Sequence, residues 1–130
     1  MAFHHELRVR YVECDMQGVV FNAHYLSYVD DAVGRWMATL DKPYTELGWD
    51  CMVVHAELDW KASARYGEVV EIEGSVLRWG TTSYVLAFDL HVGERAVCRV
   101  ELTYVGVALN TTEKMAPPDE IKRALEAAAA

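Results

Sequence analysis

Glu13-Cys14-Asp15-Met16-Gln17-Gly18-Val19-Val20-Phe21-Asn22-Ala23-His24-Tyr25 joins a short stretch of alternating polarity to the long run of helical periodicity in this chain. An acidic residue, a glycine turn, a short apolar run and a helix start follow one another within it. The Asp15 carboxylate lies in the approach to a helix whose first backbone N–H groups have no partners inside the helix, so a base or nucleophile faces a place for negative charge. The rest of the chain is read as the frame that holds this arrangement still.

On the C-terminal side, Asn22 is a favoured helix N-cap. Over residues 23–40 apolar side chains recur at Tyr25, Val29, Ala32, Trp36 and Leu40 in helical steps. Asp30, Asp31 and Arg35 take the opposite side, Val33 and Met37 widen the apolar sector, and Asp41-Lys42-Pro43 ends the helix because the residue before a proline leaves helical geometry. On the N-terminal side, residues 6–12 set Leu7, Val9 and Tyr11 against Glu6, Arg8 and Arg10, the period of a half-buried strand.

From Cys51 the period is two. Met52, Val54, Ala56, Leu58 and Trp60 share one face, with His55, Glu57, Asp59, Lys61 and Ser63 on the other. A turn at Tyr66-Gly67-Glu68 precedes Val70, Ile72, Gly74 and Val76, and a turn at Trp79-Gly80-Thr81 precedes Tyr84, Leu86, Phe88, Leu90 and Val92. Gly93-Glu94 then leads into Ala96, Cys98, Val100, Leu102 and Tyr104. Pro117-Pro118-Asp119 marks a break and an N-cap for a short last helix with Ile121 and Leu125 inward, its four terminal alanines frayed.

The pattern predicts an α+β fold in which a five-stranded antiparallel sheet, its last four strands in a meander, wraps around one long central helix and a short C-terminal helix follows. Such a sheet leaves open edges, and pairing an edge with a second copy is the common remedy, so a homodimer or homotetramer is expected.

Composition narrows the classes. A chain of 130 residues with 52% hydrophobic content suits one domain over residues 1–130. A net charge of −8 without a Lys/Arg run argues against a nucleic-acid binder. Met1-Ala2-Phe3-His4-His5-Glu6 has neither the basic region nor the apolar run of a signal peptide, and no apolar segment is long enough to span a membrane, so a cytoplasmic location is the expectation. Cys14, Cys51 and Cys98 are odd in number and lack CxxC spacing, which favours free thiols over a disulfide framework or a zinc site.

Asp15-x-x-Gly18-x-Val20-Phe21-Asn22-x-His24-Tyr25 and the helix after it resemble the N-terminal motif of the hotdog-fold acyl-CoA thioesterases of the 4-hydroxybenzoyl-CoA thioesterase group, including its YbgC type. Leu58-Asp59-Trp60-Lys61-Ala62-Ser63-Ala64-Arg65-Tyr66-Gly67-Glu68 is similar to the strand and turn that follow the helix in that group, and Met115-Ala116-Pro117-Pro118 to its ending. Two positions depart from the pattern: Ser63 stands where the group often has proline, and Val33 where many members carry arginine. The resemblance implies a hotdog fold and hydrolysis of an acyl-CoA, or of an acyl carrier protein thioester, without cofactor or metal. Asp15 would be nucleophile or general base, and the backbone N–H near Asn22 would polarise the carbonyl. Gly18, Val20, Phe21, His24 and Tyr25 would line the site, and Lys61, Arg65 and Arg78 are candidates for the phosphates of coenzyme A.

Each residue also has a plainer reading. Asp15 can serve as a solvated turn residue, Asn22 as a cap only, Tyr25 as core and His24 as an orienting hydrogen-bonding group. Cys14 reads as a structural thiol, His55, Glu57 and Asp59 as the exposed face of a strand, and the three cations as scattered surface charge. A hotdog hydratase or dehydratase, or an acyl-binding or scaffold protein without thioesterase activity, is the alternative function.

Overall fold

The computed structural model describes residues 2–129; Met1 and Ala130 lie outside them. These residues form β1 (Phe3–Arg8), α1 (His24–Met37), β2 (Trp49–Trp60), β3 (Val69–Trp79), β4 (Ser83–Val92), β5 (Arg95–Ala108) and α2 (Asp119–Ala128). The strands make one antiparallel sheet in the order β1-β3-β4-β5-β2, with α1 held against its inner face. This is the hotdog architecture. Among the described residues no helix is long and apolar enough to cross a membrane.

Only β3, β4 and β5 form the expected meander. β2 does not pair with β3 but lies at the far edge beside β5. Residues 61–68 between them make no strand of their own and are long enough to pass the end of two intervening strands, whereas residues 80–82 and 93–94 permit only neighbouring hairpins. As an edge strand, β2 is not covered as its alternation implied. Met52 is 51% exposed, Val54 59% and Trp60 54%, and the register shifts between Val53 and His55.

Both ends of α1 differ from expectation. At its C-terminus the Thr39 hydroxyl and N–H both donate to the Trp36 carbonyl, and the Leu40 N–H turns to Met37, so the helix tightens and stops at Met37 rather than Leu40. Its 14 residues extend roughly 21 Å at about 1.5 Å each, still the width of five strands about 4.8 Å apart. β1 begins and ends earlier than its alternation suggested. Its ladder to β3 stops at Arg8, and the Arg10 N–H donates to the Glu13 carboxylate at 2.8 Å, starting a 3₁₀ turn over Tyr11–Glu13 that leaves Tyr11 81% exposed. In β5 a register shift opposite Leu90 and His91 puts Val97 in the core and leaves Ala96 exposed.

The centre of the core is Trp36. It is fully buried, stacks on Phe3 at 5.2 Å, meets Phe88 edge-on at 6.1 Å, and its Nε1 donates to the Leu125 carbonyl at 3.1 Å, which ties α2 to α1. Gly74 makes this possible, since a Cβ there would stand 2.8 Å from Phe88 and 3.0 Å from Trp36. Ile121 and Leu125 are fully buried as expected, but the terminal alanines do not fray as a group: Ala127 and Ala128 are helical, and Ala129 is buried.

Candidate active site

The loop before α1 folds into a small hairpin. The Phe21 N–H donates to the Glu13 carbonyl and the Asp15 N–H to that of Val19, both at 2.9 Å, and Cys14 bridges Val20 between them. The Gly18 N–H returns to the Asp15 carbonyl at 3.0 Å, with Gly18 at φ 77, a left-handed residue that glycine adopts without steric cost. A third segment lies alongside: the Val20 N–H donates to the Ala64 carbonyl at 2.9 Å, and Val19 bridges Arg65.

Two tyrosines of α1 fasten this assembly. The Tyr25 hydroxyl accepts the Ala64 N–H at 3.0 Å, and the Tyr28 hydroxyl donates to Glu13 at 2.9 Å. Burial pushes the Glu13 carboxyl up, but hydrogen bonds from the Arg10 backbone, Tyr28 and the Arg10 guanidinium outweigh it and hold the group below its ordinary value. Burial and the Glu13 carboxylate push the Tyr28 phenol upward, so it remains the donor.

Between the hairpin and the segment after β2 lies a cavity of about 320 Å³. Asp15, Val20, Asn22, Tyr25, Trp60 and Lys61 are among its lining, with Gln17, Val19, Ala62 and Ser63. Asp15 is half-buried; its Oδ1 accepts the Gln17 N–H at 2.8 Å, and among the described residues nothing donates to Oδ2. The Trp60 Nε1 donates to the Asn22 carbonyl at 3.2 Å, so the end of β2 and the start of α1 are joined across the cavity.

Asn22 is not the N-cap. The His24 N–H donates to the Phe21 carbonyl at 2.9 Å, which carries the chain through a turn and leaves Ala23 at the cap with φ −71 and ψ −21 and no side-chain capping bond. Among the described residues no backbone carbonyl accepts from the Asn22 or Ala23 N–H. The chemical offer here is therefore main-chain: the Asn22 amide just before a helix start, with a carboxylate on the same cavity.

The expected residues divide. Asp15, Val20, Asn22, Tyr25 and Lys61 meet at this cavity. Gly18 forms the turn and lines a neighbouring groove with Tyr11, Met16 and Tyr66. Phe21 and His24 pack edge-on at 5.8 Å and are absent from the cavity lining. Arg65 stands just beyond the cavity, its exposed side chain on the segment that bridges Val19. Arg78 is not brought to the site. It lies at the Trp79 end of β3, nine residues and roughly 30 Å of extended strand from Val69, whose end of the sheet carries the hairpin. The residues missed from the sequence are Trp60, which the alternation assigned to a buried strand face, and Glu13, whose only signal was its place three residues after Arg10 at a turn.

A family model described as Thioesterase-like superfamily matches residues 9–125, nearly the whole chain. A protein of Aquifex aeolicus named "Putative esterase" is 28% identical over 102 residues, which are 76% of this chain and 80% of the relative. Among solved structures, a 1,4-dihydroxy-2-naphthoyl-CoA thioesterase from Synechocystis superposes with a TM-score of 0.85 at 20% identity, covering 96% of each chain. A Staphylococcus aureus protein solved in complex with CoA superposes with a TM-score of 0.86 at 16% identity, covering 96% of this chain and 82% of that one. At these identities the superpositions establish the hotdog fold.

Proposed function

The chain belongs to the Thioesterase-like superfamily, and from that premise we propose that it hydrolyses an acyl thioester of coenzyme A, or of an acyl carrier protein, to the free acid and thiol. The observation that carries the site assignment is the meeting of the Asp15 carboxylate, the Asn22 backbone and Lys61 at one cavity. The thioester carbonyl would sit with its oxygen on the amide donor at Asn22. Asp15 then either attacks the carbonyl carbon, expelling the thiolate and leaving an anhydride for water to cleave, or takes a proton from the attacking water. Negative charge would grow on the carbonyl oxygen in both routes, and a backbone donor held by the fold would need little reorganisation to meet it. A panel of acyl-CoA esters with a thiol reagent tests the reading; no thiol release from any ester would defeat it.

For an acidic chain, phosphate recognition needs local cations, and Lys61 and Arg65 are those beside the cavity. Replacing both by alanine is expected to raise KM for the best acyl-CoA about tenfold or more, since each removes one charge-assisted contact, with kcat little changed. Arg78→Ala is expected to leave KM unaltered. An effect at Arg78 and none at Lys61 and Arg65 would move the nucleotide to the other end of the sheet.

The oligomer is proposed to form through β2. One sheet edge, β1, presents His4, Glu6 and Arg8 to solvent, whereas β2 presents Met52, Val53 and Val54 with unpaired backbone. Sedimentation is expected to show a dimer or tetramer for the native chain and a monomer for Val54→Lys. A native monomer at micromolar concentration, or a Val54→Lys protein still associated, would rule out this edge.

A further inference from the structure

Phe3 and His5 of β1 turn inward, to Trp36 and Asp31 of α1, so His4 and Glu6 lie on the outer face of the sheet. There Glu6 stands directly opposite Glu71 of β3, His4 opposite Glu73, and Glu71 opposite His91 of β4. His4 Nε2 is 4.0 Å from Glu6 Oε2 and 3.9 Å from Glu71 Oε1, and one atom from each of these three residues lies within 4.8 Å of the other two. β1 is the sheet edge remote from β2, so association through β2 leaves this cluster open to solvent.

Two observations point to a cation. The first is charge. Glutamates directly opposite on neighbouring strands repel, and among the described residues no Lys or Arg pairs with Glu6, Glu71 or Glu73. The adjoining part of the same face is built differently: Arg99 pairs with Asp89 at 3.0 Å and with Glu101 at 3.6 Å. Where those acids meet a guanidinium, which cannot bind a metal, the three glutamates meet only imidazoles, which can.

The second is the setting of His91. Its Nδ1 donates to the Gly93 carbonyl at 2.9 Å and stands 3.5 Å from Glu71 Oε2. The neutral ring then keeps its lone pair on Nε2, which faces Glu73 Oε1 at 3.6 Å, two acceptors with no donor between them. His91 therefore holds one oxygen of Glu71 on its own side and leaves the other turned to His4. An outer partner of this kind is what fixes a ligating carboxylate.

We propose that His4 Nε2, Glu6 and Glu71 bind one zinc-type divalent ion, with His91 as a positioning residue behind Glu71, and that the ion ties the edge strand β1 to β3. Mixed imidazole and carboxylate ligands suit zinc, whereas magnesium and calcium take oxygen ligands. Ligand atoms about 2.1 Å from a tetrahedral zinc stand about 3.4 Å apart, so rotations that move each atom by less than about 1 Å close the triangle, with solvent completing the set. β1 has β3 as its only strand partner among the described residues, and the ligands come from both strands, so the unfolded chain has no such site and binding adds to stability. The thioester reaction needs no metal, and this site stands apart from it.

Calorimetric titration of the full chain with zinc after chelator treatment tests the proposal, with melting as a second readout. The native protein is expected to bind one zinc at micromolar concentration or below, to melt at a higher temperature with it, and to ignore magnesium. His4→Ala and Glu71→Gln each weaken zinc binding at least about a hundredfold and abolish the rise in melting temperature, and His91→Ala weakens it about tenfold, the usual cost of losing an outer partner. His55→Ala, which removes another exposed imidazole facing a glutamate, leaves zinc binding unchanged. Absence of zinc binding at micromolar concentration overturns the proposal and leaves the imidazoles as ion-pair partners of the glutamates. Affinity unmoved by Glu71→Gln, or lowered as much by His55→Ala as by His4→Ala, also overturns it, since the metal is then held adventitiously by surface histidines. If His4→Ala does not fold, Glu71→Gln decides.

Discussion

Asp15→Asn is expected to lower kcat on the best acyl-CoA at least about a hundredfold, the low end for losing a positioned acid–base group, while the protein keeps its fold. The structure makes this substitution a clean one. The Asp15 Oδ1 accepts the Gln17 N–H at 2.8 Å, a turn contact that an asparagine carbonyl oxygen can reproduce. The Oδ2 side, which receives no donor among the described residues, loses its negative charge and its basicity. That same turn contact supports the plainer role of Asp15 as a hairpin residue, and the two roles separate in one experiment. A turn residue alone predicts near-native kcat and a stability change of about half a kcal/mol or less. Circular dichroism and melting establish the fold, and steady-state kinetics give the rate. A folded Asp15→Asn protein with near-native kcat would defeat the mechanism even for an active thioesterase, and Glu57, Asp59, Asp30 and Asp31 would become the acids to examine.

Trp36→Ala is expected to destabilise the protein by about 3–5 kcal/mol, the usual cost of deleting a large buried aromatic, and to reach the upper part of that range. Trp36 has no exposed surface, and its neighbours are fixed from three directions: Phe3 of β1, Phe88 of β4 and the Leu125 carbonyl of α2. None can collapse into the space without leaving its own strand or helix. The lost Nε1 bond also leaves a buried helix carbonyl without its donor. Urea denaturation at fixed protein concentration, so that association contributes equally, gives the difference. A loss below about 1 kcal/mol would mean that the site relaxes and that α2 is not anchored through this indole.

The sequence on its own determined the elements and the place to look for chemistry. Period-two and period-3.6 patterns are consequences of backbone geometry within one segment, so β3, β4 and the buried face of α1 at Tyr25, Val29, Ala32 and Trp36 were legible without any neighbour in view. Asp15 and Gly18 were legible as a turn for the same local reason, and Gly18 does take the left-handed conformation such a turn uses. Only the tertiary structure decided where those pieces stand. Alternation along β2 is the same for a central strand and an edge strand, and the loop that carries β2 past β4 and β5 is what exposes Met52 and Val54. That crossing also delivers Trp60 and Lys61 to the Asp15 hairpin, while the run of β3 carries Arg78 to the opposite end. Likewise, Trp36 and Leu125 are 89 residues apart in the chain and carry no shared signal; the indole reaches the Leu125 carbonyl only once α2 packs on α1. Local periodicity records which face of an element is apolar, but partners are selected by contacts between distant segments, and these exist only once the sheet has closed around the helix.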